Sequence, residues 1–517
     1  MERVFDLSKL ISRRAVLSGS LVAVGAVAAA CAAPAPTATP VPAKPAEAPK
    51  PAAPAAAAPA PAPTKPAEAP KPAAPAAPAP APTKPAAAPA AAAPAAAKPA
   101  IELRIHDWEQ DPEDKFFGPV FKKFEEEHPG VKVKREWFPR GDMHTKQLAL
   151  AATNTLGDTV RINVAVLTKE LVNKNVLASV TPFINKDTKW NQNDQKQFWP
   201  GNIANYMMKG EQWGYPVVGH PGCVQYFVNL DHAEKQGVKL PTADGKWTID
   251  EAVAASQKLQ VSSGGRVTVY GVQPCLGGEG AVGMMRMFGG DYYNEEGTKA
   301  LVSTPESIKG IEWIADLFQK HKVAIPLEAK ADAQQVFPGG TVAMTVLTSF
   351  AAGGAFPRTV GPSAGGGKFK WAVLPPPVGP SGKRETQVSS DGYGLSKQSK
   401  NPDVAWDMVK LYVGRELGFN RFKLALGSPG SRYDIWGSPE FKKEFPTLGG
   451  LIWDTLVDPA KNPPLRPWNH PANGRYFETD TAINNILQSV WIGTKKPAEA
   501  AAEAQKAAQE IMDKPGA

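Results

Sequence analysis

Residues 101–517 are predicted to form an α/β fold, a sheet with helices on both faces, in two lobes. Strand and helix patterns alternate from the start of this stretch. It is longer than the roughly 250–300 residues that one hydrophobic core supports. It contains only two of the chain's three cysteines, Cys223 and Cys275, so no disulfide framework holds it together.

The elements follow in order. Ile101-Glu102-Leu103-Arg104-Ile105 alternates apolar and polar residues, as a strand does. Pro112 opens a helix whose Phe117, Val120, Phe121 and Phe124 recur at i, i+3, i+4, i+7 on one face, and His128-Pro129-Gly130 stops it. Val131 to Trp137 alternates again, and a second helix is expected over Met143 to Ala152. Strands alternating with helices in this way build layered sheets. Their ligands gather at the carboxyl ends of strands. His106-Asp107-Trp108-Glu109, after the first strand, therefore falls near an expected site.

The chain ahead of residue 101 reads as an address and a spacer. Arg13-Arg14 matches a twin-arginine export signal. Ala15 to Ala30 is uncharged and rich in Gly and Ala. It falls short of the ~20 apolar residues of a spanning helix, which suits the h-region of a signal peptide. Small residues then precede Cys31, an arrangement that resembles a bacterial lipoprotein signal, with Ala28 where such signals usually carry Leu. Residues 1–31 are thus expected to be the signal, with lipid placed on Cys31; the alternative is cleavage without lipid. Residues 32–100 are almost wholly Pro, Ala, Lys and Thr, and Lys44 to Lys50 returns nearly unchanged as Lys65 to Lys71. Such a composition cannot bury enough apolar surface to order itself. An extended polyproline-type tether is expected, with a reach on the order of 200 Å.

This reading also disposes of nucleic acid as a partner. The chain's net charge is +8, but six Lys against two Glu in residues 32–100 supply +4, and residues 1–31 supply +2. The folded part is left near neutral, without a basic block. Cys and His are too few, and too scattered, for a zinc site. No metal and no cofactor are expected. Tyr292-Tyr293 could suggest a ferric-iron site, but its flanks, Gly289-Gly290-Asp291 and Asn294-Glu295-Glu296-Gly297, read as a turn. Gly365-Gly366-Gly367 lacks the Lys-Ser/Thr of a phosphate loop and reads as a surface turn. Cys223 and Cys275 either pair or remain two buried thiols.

Several segments, in order, resemble the extracellular solute-binding proteins of ABC importers, of the maltose-binding type. Gln147 to Val160, with Asn154-Thr155-Leu156-Gly157-Asp158, is similar to that family's "A-G-x-x-P-D-V", with Gly157 in place of Pro. Gly210 to Pro216 followed by Tyr226 to Asn229 resembles "G-K-x-Y-G-x-P … Y-N". Lys246-Trp247-Thr248-Ile249-Asp250-Glu251, Phe337 to Met344, Trp371 to Pro375 and Ser399 to Trp406 continue the series. The resemblance spans nearly all of 101–517.

It implies a two-lobed periplasmic-binding-protein fold, type II, with the ligand in a cleft between lobes. One lobe would take 101–218 plus 391–447, the other 222–387 plus 450–517. Crossings are implied near Val217–Gly219, Ser389–Asp391 and Leu448–Gly450, with closure about them as hinges. It also implies ligand-binding residues. Trp108 and Glu109 stand in the first strand–helix loop. Asp158 ends the A-G-x-x-P-D-like motif and Arg161 follows it. His220, Asp391 and Tyr393 occupy crossings, and Glu279 sits in a glycine-rich loop of the second lobe. Thr348, Ser349 and Phe350 follow Ala343-Met344. Arg432 lies in the "G-x-x-P-x-R" region, and Trp468 and Tyr476 precede the last helices. Aromatic faces with a few placed polar groups suit a sugar.

The implied function is delivery of a solute, first of all a carbohydrate, to the membrane permease subunits of an ABC importer. The protein would act as a non-enzymatic monomer held outside the cytoplasm by its lipid. Glycerol phosphodiester, polyamine or another small polar solute is the alternative cargo. A stalked glycoside hydrolase, which needs a carboxylate pair at set spacing, is the rival from another class.

Overall fold

The computed structural model describes residues 101–516 apart from 109–110, 223, 242–243, 330–331, 364, 381, 385 and 425–426. The side chains of 108 and 111–115 are likewise not described, and the expected signal, Cys31 and tether lie outside the described residues. Lys98–Ala517 forms one compact unit.

Its opening follows the hydrophobic pattern. Strand β1 (Ile101–Trp108) buries Leu103 and Ile105. Helix α1 (Asp111–Glu127) buries Phe117, Val120 and Phe124. The chain turns at Gly130, whose φ of 92° favours glycine, into β2 (Val131–Phe138). β1 and β2 pair in parallel from Ile101↔Val131 through Trp108↔Phe138. That register carries the strand three residues beyond the expected alternation, so Trp108 closes a strand rather than standing in a loop. Glu109 lies outside the described residues. Helix α2 (Met143–Ala152) and β3 (Thr159–Ile162) follow.

Gly157, where the resembling motif carries Pro, has a physical reason. Its N–H donates to His106 Nε2 at 3.1 Å. A Cβ there would stand 2.8 Å from the Arg104 carbonyl oxygen and 2.9 Å from the His106 ring. Burial lowers the His106 pKa, so the imidazole is neutral and able to accept.

After β4 (Leu177–Ala178) and a small antiparallel pair, Met207–Met208 with Glu211–Gln212, come three short strands in succession: β5 (Tyr215–Pro216), β6 (His220–Pro221) and β7 (Gln225–Asn229). Helix α3 (Ile249–Leu259) begins on a capping box. The Thr248 side chain accepts from the Glu251 N–H, and the Glu251 carboxylate accepts from the Thr248 N–H. This accounts for the Trp247-Thr248-Ile249-Asp250-Glu251 motif, whose Trp247 indole donates to the Pro375 carbonyl at 3.0 Å. Then come β8 (Val261–Ser263), β9 (Arg266–Gln273), α4 (Gly278–Arg286), β10 (Val342–Leu347) and β11 (Trp371–Leu374). Glu279 therefore lies in the first turn of a helix, not in a glycine-rich loop. The chain continues through β12 (Gln387–Ser389), β13 (Gly392–Ser396), α5 (Pro402–Val413), α6 (Arg415–Lys423) and β14 (Arg466–Pro467). It ends in α7 (Tyr476–Trp491) and α8 (Pro497–Met512).

Among the described residues the strands form four sheets, of which the two largest are mixed. One has the order β2-β1-β3-β13-β4, with β5 also on β13; the other has the order β8-β9-β10-β7-β11. Beneath the first pack Val160, Ile162, Leu167, Leu171 and Leu177. Against the second pack Met284, Met285, Ile311, Ile483, Leu487 and Ala504. A third cluster joins Phe422, Ile435, Trp436 and Phe441 to Phe227, Phe356 and Trp371.

The chain passes between the sheets along β5–β6–β7 and returns along β11–β12–β13. Midway, β6 and β12 pair antiparallel, His220↔Ser389 and Pro221↔Val388, and β14 adds a parallel third strand. At Leu448–Gly450, where a third crossing was expected, the chain is helical within Thr447–Val457. No described helix is long and apolar enough to cross a membrane.

Candidate functional site

A cavity opens where the crossing strands meet both sheets. Arg140, in the turn after β2, Arg161 on β3 and Asp391, just ahead of β13, line it from the first sheet. Val218, His220, Ser389 and Ser390 line it from the crossing, and Thr348 and Phe350, past β10, with Glu279 from the other side. Arg421 of α6, Gly427, Ser428 and Val164 complete it.

A buried ionic group forms one wall. Arg161 Nη1 stands 3.1 Å from Asp107 Oδ1 and donates to the Tyr393 hydroxyl at 3.2 Å; Arg161 Nη2 lies 3.6 Å from Asp391 Oδ2. Arg135 holds the other Asp107 oxygen at 3.0 Å. The guanidinium of Arg161 lies over the Tyr393 ring, 5.2 Å from its centroid, and Tyr393 packs on Tyr412. Burial acts to raise the Asp107 pKa, but Arg161, Arg135 and Arg421 outweigh it and hold this carboxylate below its usual range. At Asp391 burial prevails over Arg161, Arg140 and Arg421, and the pKa rises.

The floor is neutral and rich in hydroxyls. His220 Nδ1 is 3.1 Å from Ser349 Oγ and 2.9 Å from Ser428 Oγ, and Ser349 donates to the Gly219 carbonyl at 3.1 Å. Gly219 has no room for a side chain: a Cβ would meet Ser431 Cα at 2.7 Å. Burial, with a smaller push from Arg140, lowers the His220 pKa to about 3. Such an imidazole is too weak a base to activate either serine near neutral pH. It hydrogen-bonds instead. On the far wall Glu279 accepts from the Ser389 hydroxyl at 2.8 Å. Across the mouth, the Arg140 guanidinium stands 5.9 Å from the centre of the Phe350 ring, linking the turn after β2 to the loop after β10.

Of the residues expected from sequence, the structure brings Arg161, His220, Glu279, Thr348, Phe350 and Asp391 to the cavity surface. Ser349 lies buried under His220, and Tyr393 lies buried behind Arg161. Four others stand elsewhere. Asp158 fastens β1 to the chain after β13, accepting from the Arg104 N–H at 2.8 Å and from the Ser399 hydroxyl at 2.7 Å. Arg432 is held by Asp434 and Asp194 over the Phe198 ring. Trp468 and Tyr476 pack edge to face at 5.2 Å in a small buried cluster with Val166. The side chain of Trp108 is not described. Cys275 is a free thiol whose pKa burial pushes up to about 11, and Cys223 lies outside the described residues.

Sequence reasoning missed Arg140, Arg421, Ser389 and Ser428. Arg421 did carry a signal. It shares a helical stripe with buried Leu417, Gly418 and Phe422, an arginine set among residues that face inward. Among the described residues no group of three or more His, Cys, Asp or Glu could hold a metal ion. Hydroxyls, a neutral imidazole, two carboxylates and guanidiniums around one aromatic ring can hydrogen-bond a solute rich in polar groups.

Residues 108–417 match the family model of the bacterial extracellular solute-binding proteins. The arabinooligosaccharide-binding protein of Bacillus subtilis is 23% identical over 345 residues, covering 64% of this chain and 73% of that protein. A binding protein of Brucella abortus is also 23% identical, over 77% of this chain and 90% of its own. Among solved structures, the ABC substrate-binding protein of Listeria monocytogenes in complex with cycloalternan superposes with a TM-score of 0.65. It has 20% identity and covers 80% of this chain and 99% of that one. Maltose-bound MalE3 of T. maritima gives 0.62 at 18% identity, over 80% of this chain and all of that one. The fold is that of the maltose-binding-like periplasmic binding proteins.

Proposed function

Because the chain belongs to the family of bacterial extracellular solute-binding proteins, and so works outside the cytoplasm, we propose that it binds a carbohydrate in the crossing cavity and delivers it to the permease subunits of an ABC importer. One observation carries the reading. Arg140 and Phe350 approach each other across the cavity mouth from elements of different sheets, over a floor of His220, Ser349 and Ser428. A solute held there touches both sheets, and this is what couples binding to closure about a hinge. The relatives named for arabinooligosaccharide and solved with cycloalternan or maltose favour a sugar as the cargo.

On this reading the lobes are 101–218 plus 391–447 and 222–387 plus 450–517. The protein works as a monomer, without catalysis, anchored by lipid on Cys31. The depressed basicity of His220 supports the non-enzymatic role, because its serine neighbours would otherwise form a nucleophile–base pair. Calorimetry of the full chain against mono- and oligosaccharides, a polyamine and glycerophosphodiesters tests the cargo. Saturable sugar binding without turnover of glycans is expected. Glycan hydrolysis, or binding confined to the polyamine or phosphodiester, refutes the reading.

A further inference from the structure

Resting on the carbohydrate reading above and narrowing it, we propose that the solute is a single sugar unit, and that a seam of Val166, Lys169, Trp468 and Tyr476 bars longer chains from the cavity. The cavity measures about 110 Å³. A cavity of ~150 Å³ takes one benzene ring. Space on that scale admits one sugar ring and not two. A longer chain could enter only if an end of the cavity let it run on.

One end is sewn shut. Residues 467–476, between β14 and α7, form a strap tied to both sides. On the side of the second sheet, Arg286 of α4 donates to the Pro467 carbonyl at 3.1 Å. Asn469 donates to Asp291 and to the Tyr293 carbonyl, each at 3.3 Å. On the side of the first sheet, the strap meets the short helix Thr168–Asn173 that follows β3. Lys169 Nζ donates to the His470 carbonyl at 3.0 Å, and Asn173 donates to the Asn473 carbonyl at 3.3 Å. A Cβ at Gly474 would stand 3.0 Å from Glu170 Cα, so the two backbones touch. Burial lowers the Lys169 pKa to about 8, in keeping with a seam that admits little water.

The seam abuts the cavity. Val164 belongs to the cavity lining and packs against the buried cluster of Val166, Trp468 and Tyr476. From the other side, Glu279 lines the cavity while its neighbour Gly278 is tight against Tyr476: a Cβ there would stand 2.6 Å from the phenol oxygen. Trp468 and Tyr476 pack on each other, both buried, and present no open ring face on which a second sugar could stack. A chain leaving this way would have to part the cluster and expose its apolar surface, which is costly. At the mouth it would have to displace the Arg140–Phe350 pair.

Calorimetry of the full chain compares glucose, galactose, mannose, xylose and arabinose with the di- and trisaccharides of each, beside spermidine. At least one single sugar is expected to bind, with its di- and trisaccharide tenfold or more weaker. Two variants then loosen the seam, each checked for folding by circular dichroism. Trp468→Ala removes the buried ring. Lys169→Ala removes the tie to His470 and leaves the apolar cluster in place, so it decides the matter should Trp468→Ala not fold. The preference for the single sugar is expected to fall to about threefold or less. A di- or trisaccharide binding within tenfold of its parent in the wild type, or a preference that survives both substitutions, overturns this inference while the carbohydrate reading stands. Silence from every sugar, with or without a response to spermidine, overturns both.

Discussion

Arg161 and Asp107 face each other at 3.1 Å, and neither side chain is exposed to solvent. Arg161 lines the cavity, and Asp107 joins it to Arg135 behind. Breaking a buried pair strands the remaining charge, at a cost of about 3–5 kcal/mol. Asp107→Ala should lower stability by about that much, read from the urea midpoint. A loss below about 1 kcal/mol would show that water reaches the pair.

His220 sets a pH dependence. Its pKa is about 3 in the fold against ~6.5 unfolded, so between these values the unfolded chain binds more protons. Stability tied to neutral His220 is fully present above pH ~6.5 and is lost as pH falls toward 3. His470, also pushed down to about 3, acts with the same sign. Comparison with His220→Gln isolates the first residue. Between pH 7 and 4.5 the wild type should lose about 2.5 kcal/mol more than the variant, at ~1.4 kcal/mol per pH unit below pH ~6.5. Parallel curves for the two proteins would contradict the buried neutral imidazole.

Gly157→Pro, which restores the residue usual in the resembling motif, should be harmful here. It removes the N–H that reaches His106 and drives atoms against the Arg104 carbonyl. Overpacking and a lost buried hydrogen bond together cost about 2 kcal/mol or more. Thermal unfolding of the variant measures it, and an unchanged Tm would mean that the β1–β3 junction yields.

Trp108 stands at the carboxyl end of β1. If it is the sugar's stacking platform, Trp108→Ala weakens binding by about 2 kcal/mol and leaves the Tm without ligand nearly unchanged. Collapse of the ligand-free fold would assign Trp108 to the core instead.

Cys31→Ser should move the protein from the membrane to the soluble fraction. A variant that still sediments with membranes would remove lipid from the account.

The pattern of residues 101–152 announced its elements because each buries one regular face: Phe117, Val120 and Phe124 on a helix, Leu103 and Ile105 on a strand. The end of β1 was less visible. His106-Asp107-Trp108 breaks the alternation, since His106 and Asp107 are buried polar residues sustained by Glu136 and Arg135 on β2 and Arg161 on β3. Two arginines of the candidate site were missed for a related reason. Arg140 and Arg421 are separated by most of the chain and meet only through the crossings. Arg432, by contrast, stood in a recognisable motif, but its charge is consumed by Asp434 and Asp194 in holding a turn. Spacing along a chain reveals a local face well and a junction of distant segments poorly.

The pairing of β6 with β12 has a mechanical consequence. The two main connections between the sheets are not independent strings but two plies of one ribbon, stitched His220↔Ser389 and Pro221↔Val388. A ribbon bends readily across its flat face and resists sliding of one ply along the other, because sliding breaks the stitches. Relative motion of the sheets is thereby channelled into one flexing coordinate. His220 and Ser389 lie on that ribbon and on the cavity lining alike, so an occupant of the cavity pulls on the bending element itself.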